Sequence, residues 1–195
     1  MRRILVYALI SRDGYLADAD GKSDRFVQEE DFHQSEGKAW SLEMLRRADT
    51  ILFGRVTYEG RAEFWPGAWA RENTAEIAGH RNGSAKIVFS RTLKSTKWEN
   101  STILPSPTKE VALELKPRPG KDMLVLASSF QVSSLMRDGL IDEFRIRAVP
   151  VVLGAGRPLF KDEKEPHRLR LVSCQGFKSG VVALHYEPAE LAPSP

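Results

Sequence analysis

The sequence predicts an α/β domain built on a mostly parallel, twisted sheet that ends in an antiparallel hairpin. Two observations lead there. Up to Gly139, short apolar runs alternate with stretches of helical period, and parallel strands need such crossovers between them. Beyond Gly139 strand-like segments follow one another directly, as antiparallel pairing permits. One domain over residues 1–187 accounts for this pattern, with 188–195 (PAELAPSP) expected as a disordered tail.

The first strand, Ile4 to Ile10, is almost continuously apolar and so belongs in the middle of a sheet covered on both faces. Residues 11–14 (SRDG) turn out of it, and Tyr15-Leu16-Ala17 leads into a polar loop. The acidic stretch 24–37 reads equally as a short helix or a flap. Trp40, Met44, Leu45 and Ala48 then mark one helix face, with Arg46 and Arg47 suited to its negative end. A strand at 50–53 follows, then a helix from Thr57 that Pro66 stops, and a polar helix over 70–82. Strands are expected at 86–90 and 102–104. Ser106 and Pro107 open a helix carrying Val111, Ala112 and Leu115. A strand over 122–127 leads to a helix from Ser128 that closes at Gly139. A long strand over 141–152, a Gly154-Ala155-Gly156 turn and alternating strands at 168–174 and 180–187 complete the chain.

Composition narrows the function. Of 195 residues, 42% are apolar and 28% charged, which suffices for a soluble core. The net charge of +3 is scattered, and pairs such as Arg2-Arg3 never grow into a basic tract. No nucleic-acid partner is implied, while a site for an anionic small molecule is permitted. The N-terminal apolar run of seven residues is too short to span a membrane, so we expect a cytoplasmic protein. Cys174 is the single cysteine and, in an alternating run, is expected to be a buried, inert thiol. His33, His80, His167 and His185 show no metal-ligand spacing, and no GxGxxG, P-loop or GxSxG motif occurs.

The stretch 50–59 (TILFGRVTYE) organises the site. A buried strand, a glycine and a helix start make a phosphate-binding recipe, because free N–H groups and the positive helix end face outward. Thr57 suits a cap and Arg55 adds a forked cation. The same spacing also fits an ordinary strand-to-helix connection with Arg55 at the surface. Two further strand ends, Ser90-Arg91 and Ala127-Ser128-Ser129, carry similar residues. Taken singly, each reads as a cap or a solvated strand end. Together, beyond the carboxyl ends of parallel strands, they favour a nucleotide. Phe64, Trp65 and Trp69 flank Pro66-Gly67 as surface aromatics that either border the site or a dimer interface or pack locally.

Four motifs, SRDGYLA, ADTILFGRVTYEG, KIVFSRTL and GLIDEFRIRAVPVVLGAGRPLF, resemble in order the dihydrofolate reductase-like family. The nearest branch contains the reductase domain of riboflavin biosynthesis, and the likeness spans residues 4–186. The resemblance implies that family's three-layer fold, NADPH as hydride donor and a homodimer. Carried over by position, Gly54, Arg55, Val56 and Thr57 hold the cofactor phosphates, and Ser90 and Arg91 meet the adenosine 2′-phosphate. Ala127, Ser128 and Ser129 wrap the pyrophosphate, Ala8 and Leu16 lie near the nicotinamide, and the turn at Gly154 borders the active site. Asp13 and Asp31 are the candidate proton donors or substrate anchors. A turn residue (Asp13) and a solvated helix charge (Asp31) are the alternatives. Ala127, Ser128 and Ser129 stand where dihydrofolate reductases have a glycine pair, and Glu29, Glu30 and Asp31 do not reproduce the pterin-anchoring acid motif. The expected activity is NADPH-dependent reduction of a small pterin- or pyrimidine-like heterocycle. The alternative is a non-catalytic nucleotide- or ligand-binding protein that retains the fold.

Overall fold

The computed structural model describes residues 1–23, 35–105, 108–126 and 128–190. Strand β1 (Ile4–Ile10) is buried almost throughout, as its unbroken apolar run requires. It is followed by β2 (Tyr15–Ala17), helix α1 (Ser35–Arg47) and β3 (Ala48–Gly54). Next come α2 (Arg55–Phe64), α3 (Ala68–Asn73), α4 (Ala75–Gly83), β4 (Ala85–Phe89) and β5 (Ser101–Leu104). The second half contributes α5 (Thr108–Leu115), β6 (Asp122–Leu126), α6 (Ser129–Arg137) and β7 (Glu143–Ala148). A short β8 (Arg157–Pro158) precedes the hairpin of β9 (Arg168–Gly176) and β10 (Val182–Ala189).

The main sheet has the order β5-β4-β3-β6-β1-β7-β10-β9. Its first six strands run parallel, while β10 is antiparallel to both neighbours. Two apolar cores flank it. Leu5, Tyr7 and Leu9 of β1 pack with Trp40, Met44 and Leu45 of α1 and Ile77 of α4 on one face. Ile4, Val6 and Ala8 pack with Val111 of α5 and Val132 and Leu135 of α6 on the other. The helix after β1 thus covers one face and the helix after β6 the other. That reversal opens a crevice at the carboxyl ends of the central strands. The expected three-layer sheet with a terminal hairpin is what forms.

Several local expectations are corrected. Ala48 opens β3 instead of closing the preceding helix. Helix α2 starts two residues early, with extended Gly54 in the cap position and no side-chain cap. Thr57 is therefore inside the first turn. The helix expected over 70–82 is two helices, because Thr74 leaves helical geometry (φ −138°, ψ 39°) and its Oγ1 donates to the Ala70 carbonyl at 2.7 Å. β7 ends at Ala148, short of the expected 152, where the Val149 amide makes its last bond back to Ile10. Cys174 is exposed, because β9 is an edge strand with little packed over either side. β10 continues through Ala189, so Pro188 and Ala189 are paired strand residues, not tail. Residues 24–34, Ser106, Pro107, Ala127 and 191–195 lie outside the described residues, and with them the expectations for Asp31 and Ala127. No helix among the described residues is long and apolar enough to cross a membrane.

The amino-end edge of the sheet is an ionic clamp. Glu143, 1% exposed, receives two bonds of 2.9 Å from Arg47 and one from Arg145 Nε. Burial pushes this carboxyl up, but those bonds and the two charges outweigh it and hold the pKa near about 2.

Candidate functional site

At the opposite edge, β3 and β6 deliver the starts of α2 and α6 to one place. Gly54 has an ordinary φ of −83°, so its need is for space. A β-carbon there would stand 2.8 Å from Gln131 Oε1 and 2.9 Å from Ser128 Oγ. Two helix N-termini consequently open onto a groove of about 480 Å³, where the positive helix ends favour an anion. Among the described residues, Arg55, Arg137, Arg157 and Lys161 line it against one acid, Asp162. Phe130, 71% exposed, offers an apolar surface at its rim.

The sequence-predicted residues meet there unevenly. Gly54, Arg55, Val56, Thr57, Ser128 and Ser129 all line the groove. Ser128 hydrogen-bonds the Gln131 side chain, and Ser129 donates to the Pro158 carbonyl, tying α6 to β8. Arg55 reaches Glu59 at 2.7 Å, both about half exposed. Ser90 and Arg91 are not among the lining residues, although Phe89 is. The Ser90 hydroxyl instead accepts the amides of Thr92 (3.2 Å) and Leu93 (2.9 Å), holding the turn after β4. Ala8 is buried in the core, 1% exposed.

A second cleft of about 240 Å³ adjoins the first. Val56, Thr57 and Arg157 belong to both, and Leu16, Ala17 and Arg61 complete the inner end. Its outer wall is the β2–β8 ladder, in which Ala17 pairs with Arg157. Gly156 makes that approach possible: at φ +153° it stands where a β-carbon would lie 2.1 Å from the Ala17 carbonyl oxygen.

Asp13 stitches the same wall together. Its carboxylate accepts Ser11 Oγ (2.6 Å), the Leu153 amide (3.1 Å) and the Gly154 amide (2.7 Å). The Ser11 bond, with smaller help from the backbone amides, brings its pKa down to about 2. Three such bonds favour its ionised form. Its geometry is that of a positioning residue for the turn at Gly154. The aromatic trio divides: Trp65 is buried beneath Arg81 at 4.4 Å, while Phe64 and Trp69 stay exposed, their rings 5.6 Å apart.

Sequence reasoning missed Gln131, Arg157 and Lys161. Gln131 sits one helical turn beyond Ser128 and signals its role only once that helix start is known. Arg157 follows the glycine turn directly, a cue that the chain returns to the cleft.

A basic groove between two helix starts, at a topological switch point of an α/β sheet, is a place that suits an anionic ligand. The chain belongs to the RibD C-terminal domain family, whose pattern matches residues 2–183. The uncharacterized protein YyaP of Bacillus subtilis (strain 168) is 31% identical over 185 residues, covering 95% of this chain and 94% of its own. YwjB of the same organism, also uncharacterized, is 29% identical over 185 residues, 95% of this chain and 97% of its own. A putative riboflavin biosynthesis protein from Shewanella sp. PV-4 shares the fold with a TM-score of 0.72 at 20% identity, over 97% of this chain and 100% of that one. The diaminohydroxyphosphoribosylaminopyrimidine deaminase/5-amino-6-(5-phosphoribosylamino)uracil reductase of Thermotoga maritima matches with a TM-score of 0.67 at 16% identity, over 96% of this chain and 57% of that one. These likenesses bear out the expected dihydrofolate reductase-like fold.

Proposed function

We propose that this protein is an NADPH-dependent reductase that transfers a hydride to a small heterocyclic substrate, pterin- or pyrimidine-like. The observation that carries the reading is the contact of Gly54 with Ser128 and Gln131, which opens two helix N-termini onto one basic groove. Such a groove fits a pyrophosphate, and the family supplies the expectation of a reductase.

In this reading Gly54, Arg55, Val56, Thr57, Ala127, Ser128 and Ser129 hold the cofactor phosphates. Ser90 and Arg91, beside Phe89, meet the 2′-phosphate. Leu16, in the second cleft, lies toward the nicotinamide end. Bound there, NADPH supplies the hydride. The chain's residues do the rest: the β2–β8 ladder walls off water, and Asp13 fixes the turn at Gly154 that borders the substrate. The proton falls to Asp31.

Thermal melting with NADPH, NADP, NADH and buffer alone tests the proposal, since a ligand of the folded state raises the melting temperature by mass action. We expect a larger rise with NADPH than with NADH. No rise at millimolar NADPH leaves a ligand-binding protein that kept only the fold.

We also read the protein as a homodimer. Edge strand β9 exposes adjacent Leu171 (50%) and Val172 (42%), one on each side of the sheet, as an unpaired edge with apolar flanks does before association. Light scattering then gives twice the 21.9 kDa of the chain; a monomer at micromolar concentration removes this part of the reading.

A further inference from the structure

We propose that Gln131 is a further phosphate ligand of the groove: with Ser128 it forms a capping pair held open, and its side-chain amide donates from Nε2 to an oxygen of a bound pyrophosphate. That the pyrophosphate is the cofactor's rests on the reductase reading above; the role of Gln131 does not.

Residues 128–131 (SSFQ) open α6 with the spacing of a capping box. In a closed box the serine oxygen accepts the backbone amide of the glutamine, and the glutamine side chain reaches back to the backbone amide of the serine. Here the box is not closed. Ser128, in the cap position with extended backbone (φ −117°, ψ 101°), makes no side-chain cap. Its hydroxyl donates instead to Gln131 Oε1. That bond occupies one end of the amide and fixes the other, Nε2, which donates to no described residue. Gln131 is only 1% exposed yet lines the groove, so this donor sits at the groove's floor. A side-chain donor buried so far ordinarily has a partner, and the groove is where one can arrive.

Position and charge both suit the role. The amide atoms stand 2.8 Å (Oε1) and 3.1 Å (Nε2) from the point a Gly54 β-carbon would take. Gln131 therefore belongs to the first turn of α6 and also reaches the start of α2, which has no side-chain cap either. A lysine or arginine at this junction would meet two positive helix ends, and a carboxylate would fill the anion's own place. A neutral donor does neither. The groove's outer cations are already engaged: Arg55 with Glu59 at 2.7 Å, Arg137 with Glu163 at 3.4 Å and Lys161 with Asp162 at 3.8 Å. Those pairs are largely exposed and set the sign of the field. The contact made away from water falls to Gln131, where a hydrogen bond to a charged oxygen counts for more.

The test is calorimetric titration of the full chain with inorganic pyrophosphate, beside melting curves without ligand, for wild type, Gln131→Leu and Gln131→Glu. We expect wild type to bind pyrophosphate and Gln131→Leu to bind it about tenfold more weakly, the loss of one bond to a charged group. Gln131→Glu closes the box and sets its own carboxylate against both helix ends. Its melting temperature rises by about 3 °C, while its pyrophosphate binding falls further than that of Gln131→Leu. A glutamine that merely packs moves stability and affinity in the same direction, so a fall in both with Gln131→Glu overturns the inference. A wild-type chain that binds no pyrophosphate, or variants that bind it as wild type does, overturn it too, whatever NADPH does. The expected shifts without any melting rise with NADPH keep the role of Gln131 and remove the reductase reading. If Gln131→Leu fails to fold, Gln131→Glu decides alone.

Discussion

Ser128 Oγ lies 2.9 Å from the point where a β-carbon on Gly54 would stand, so the first residue before α2 and the first before α6 share one gap. Gly54→Ala tests whether that gap serves a ligand. Its φ of −83° suits alanine, so the cost is one of crowding alone. The obstructing atoms belong to Ser128 and Gln131 side chains, which can swing outward into the groove. We expect stability to fall by about 1 kcal/mol and NADPH affinity by about tenfold. Melting curves and a fluorescence titration measure the two separately. Full NADPH affinity in the variant removes the groove from the cofactor path.

Arg55→Ala separates the groove's electrostatics from its shape. The Arg55–Glu59 pair is half exposed, so stability should change by less than about 0.5 kcal/mol. If Arg55 grips a phosphate, NADPH binding weakens by about tenfold and its salt dependence flattens. NADH carries the same pyrophosphate, so its binding weakens by a similar factor. Unchanged binding of both cofactors undoes the assignment of Arg55 to the cofactor phosphates.

Asp13→Asn should disturb the wall of the cleft without changing the proton inventory. The carboxylate's folded pKa, about 2, lies below the ordinary 3.8. Its contribution to stability is therefore complete above about 3.8 and lost as pH falls through about 2. Between pH 5 and 8 it stays ionised, so the variant's rate profile keeps the wild-type shape at a lower level, with KM raised. A profile that loses an acidic limb in that range returns Asp13 to the role of proton donor.

Much of this was legible in the chain. The run from Ile4 to Ile10 declares a central strand because nothing polar interrupts it, and β1 sits between β6 and β7. Gly54 and Ser128 were legible as groove-lining residues because each stands where a strand end passes into a helix start. The start of α2 was misplaced because Gly54 caps without a side chain, leaving Thr57 as the only polar cue. Cys174 was misplaced because alternation reports period, not whether a layer covers the strand. Arg147 beside Tyr7 was out of reach: only the pairing of β7 with β1 brings the two together. A charged residue inside β7, flanked by Ile146 and Ala148, was the one local hint.

Glu143→Gln is the control that separates the two edges of the sheet. Glu143 pairs with Leu5 at the amino ends of β7 and β1, the edge opposite the groove. The fold lowers its pKa from 4.5 to about 2, against the pressure of burial, so the ionised form stabilises the protein by about 3 kcal/mol. A depressed acid contributes fully above its unfolded value and loses that contribution as pH falls through the folded one. Wild-type stability should thus decline below about pH 4.5 and lose this component near pH 2. Glutamine removes the charge that Arg47 and Arg145 share, and at pH 7 the melting temperature should drop by about 10 °C, with a shallower decline on acidification. The gain in melting temperature with NADPH should survive, since the described partners of Glu143 are Arg3, Arg47, Arg145 and His185, none of them in the groove. A variant as stable as wild type at pH 7 shows that the clamp's desolvation cancels its attraction; loss of the NADPH effect in a folded variant shows that the two edges are coupled.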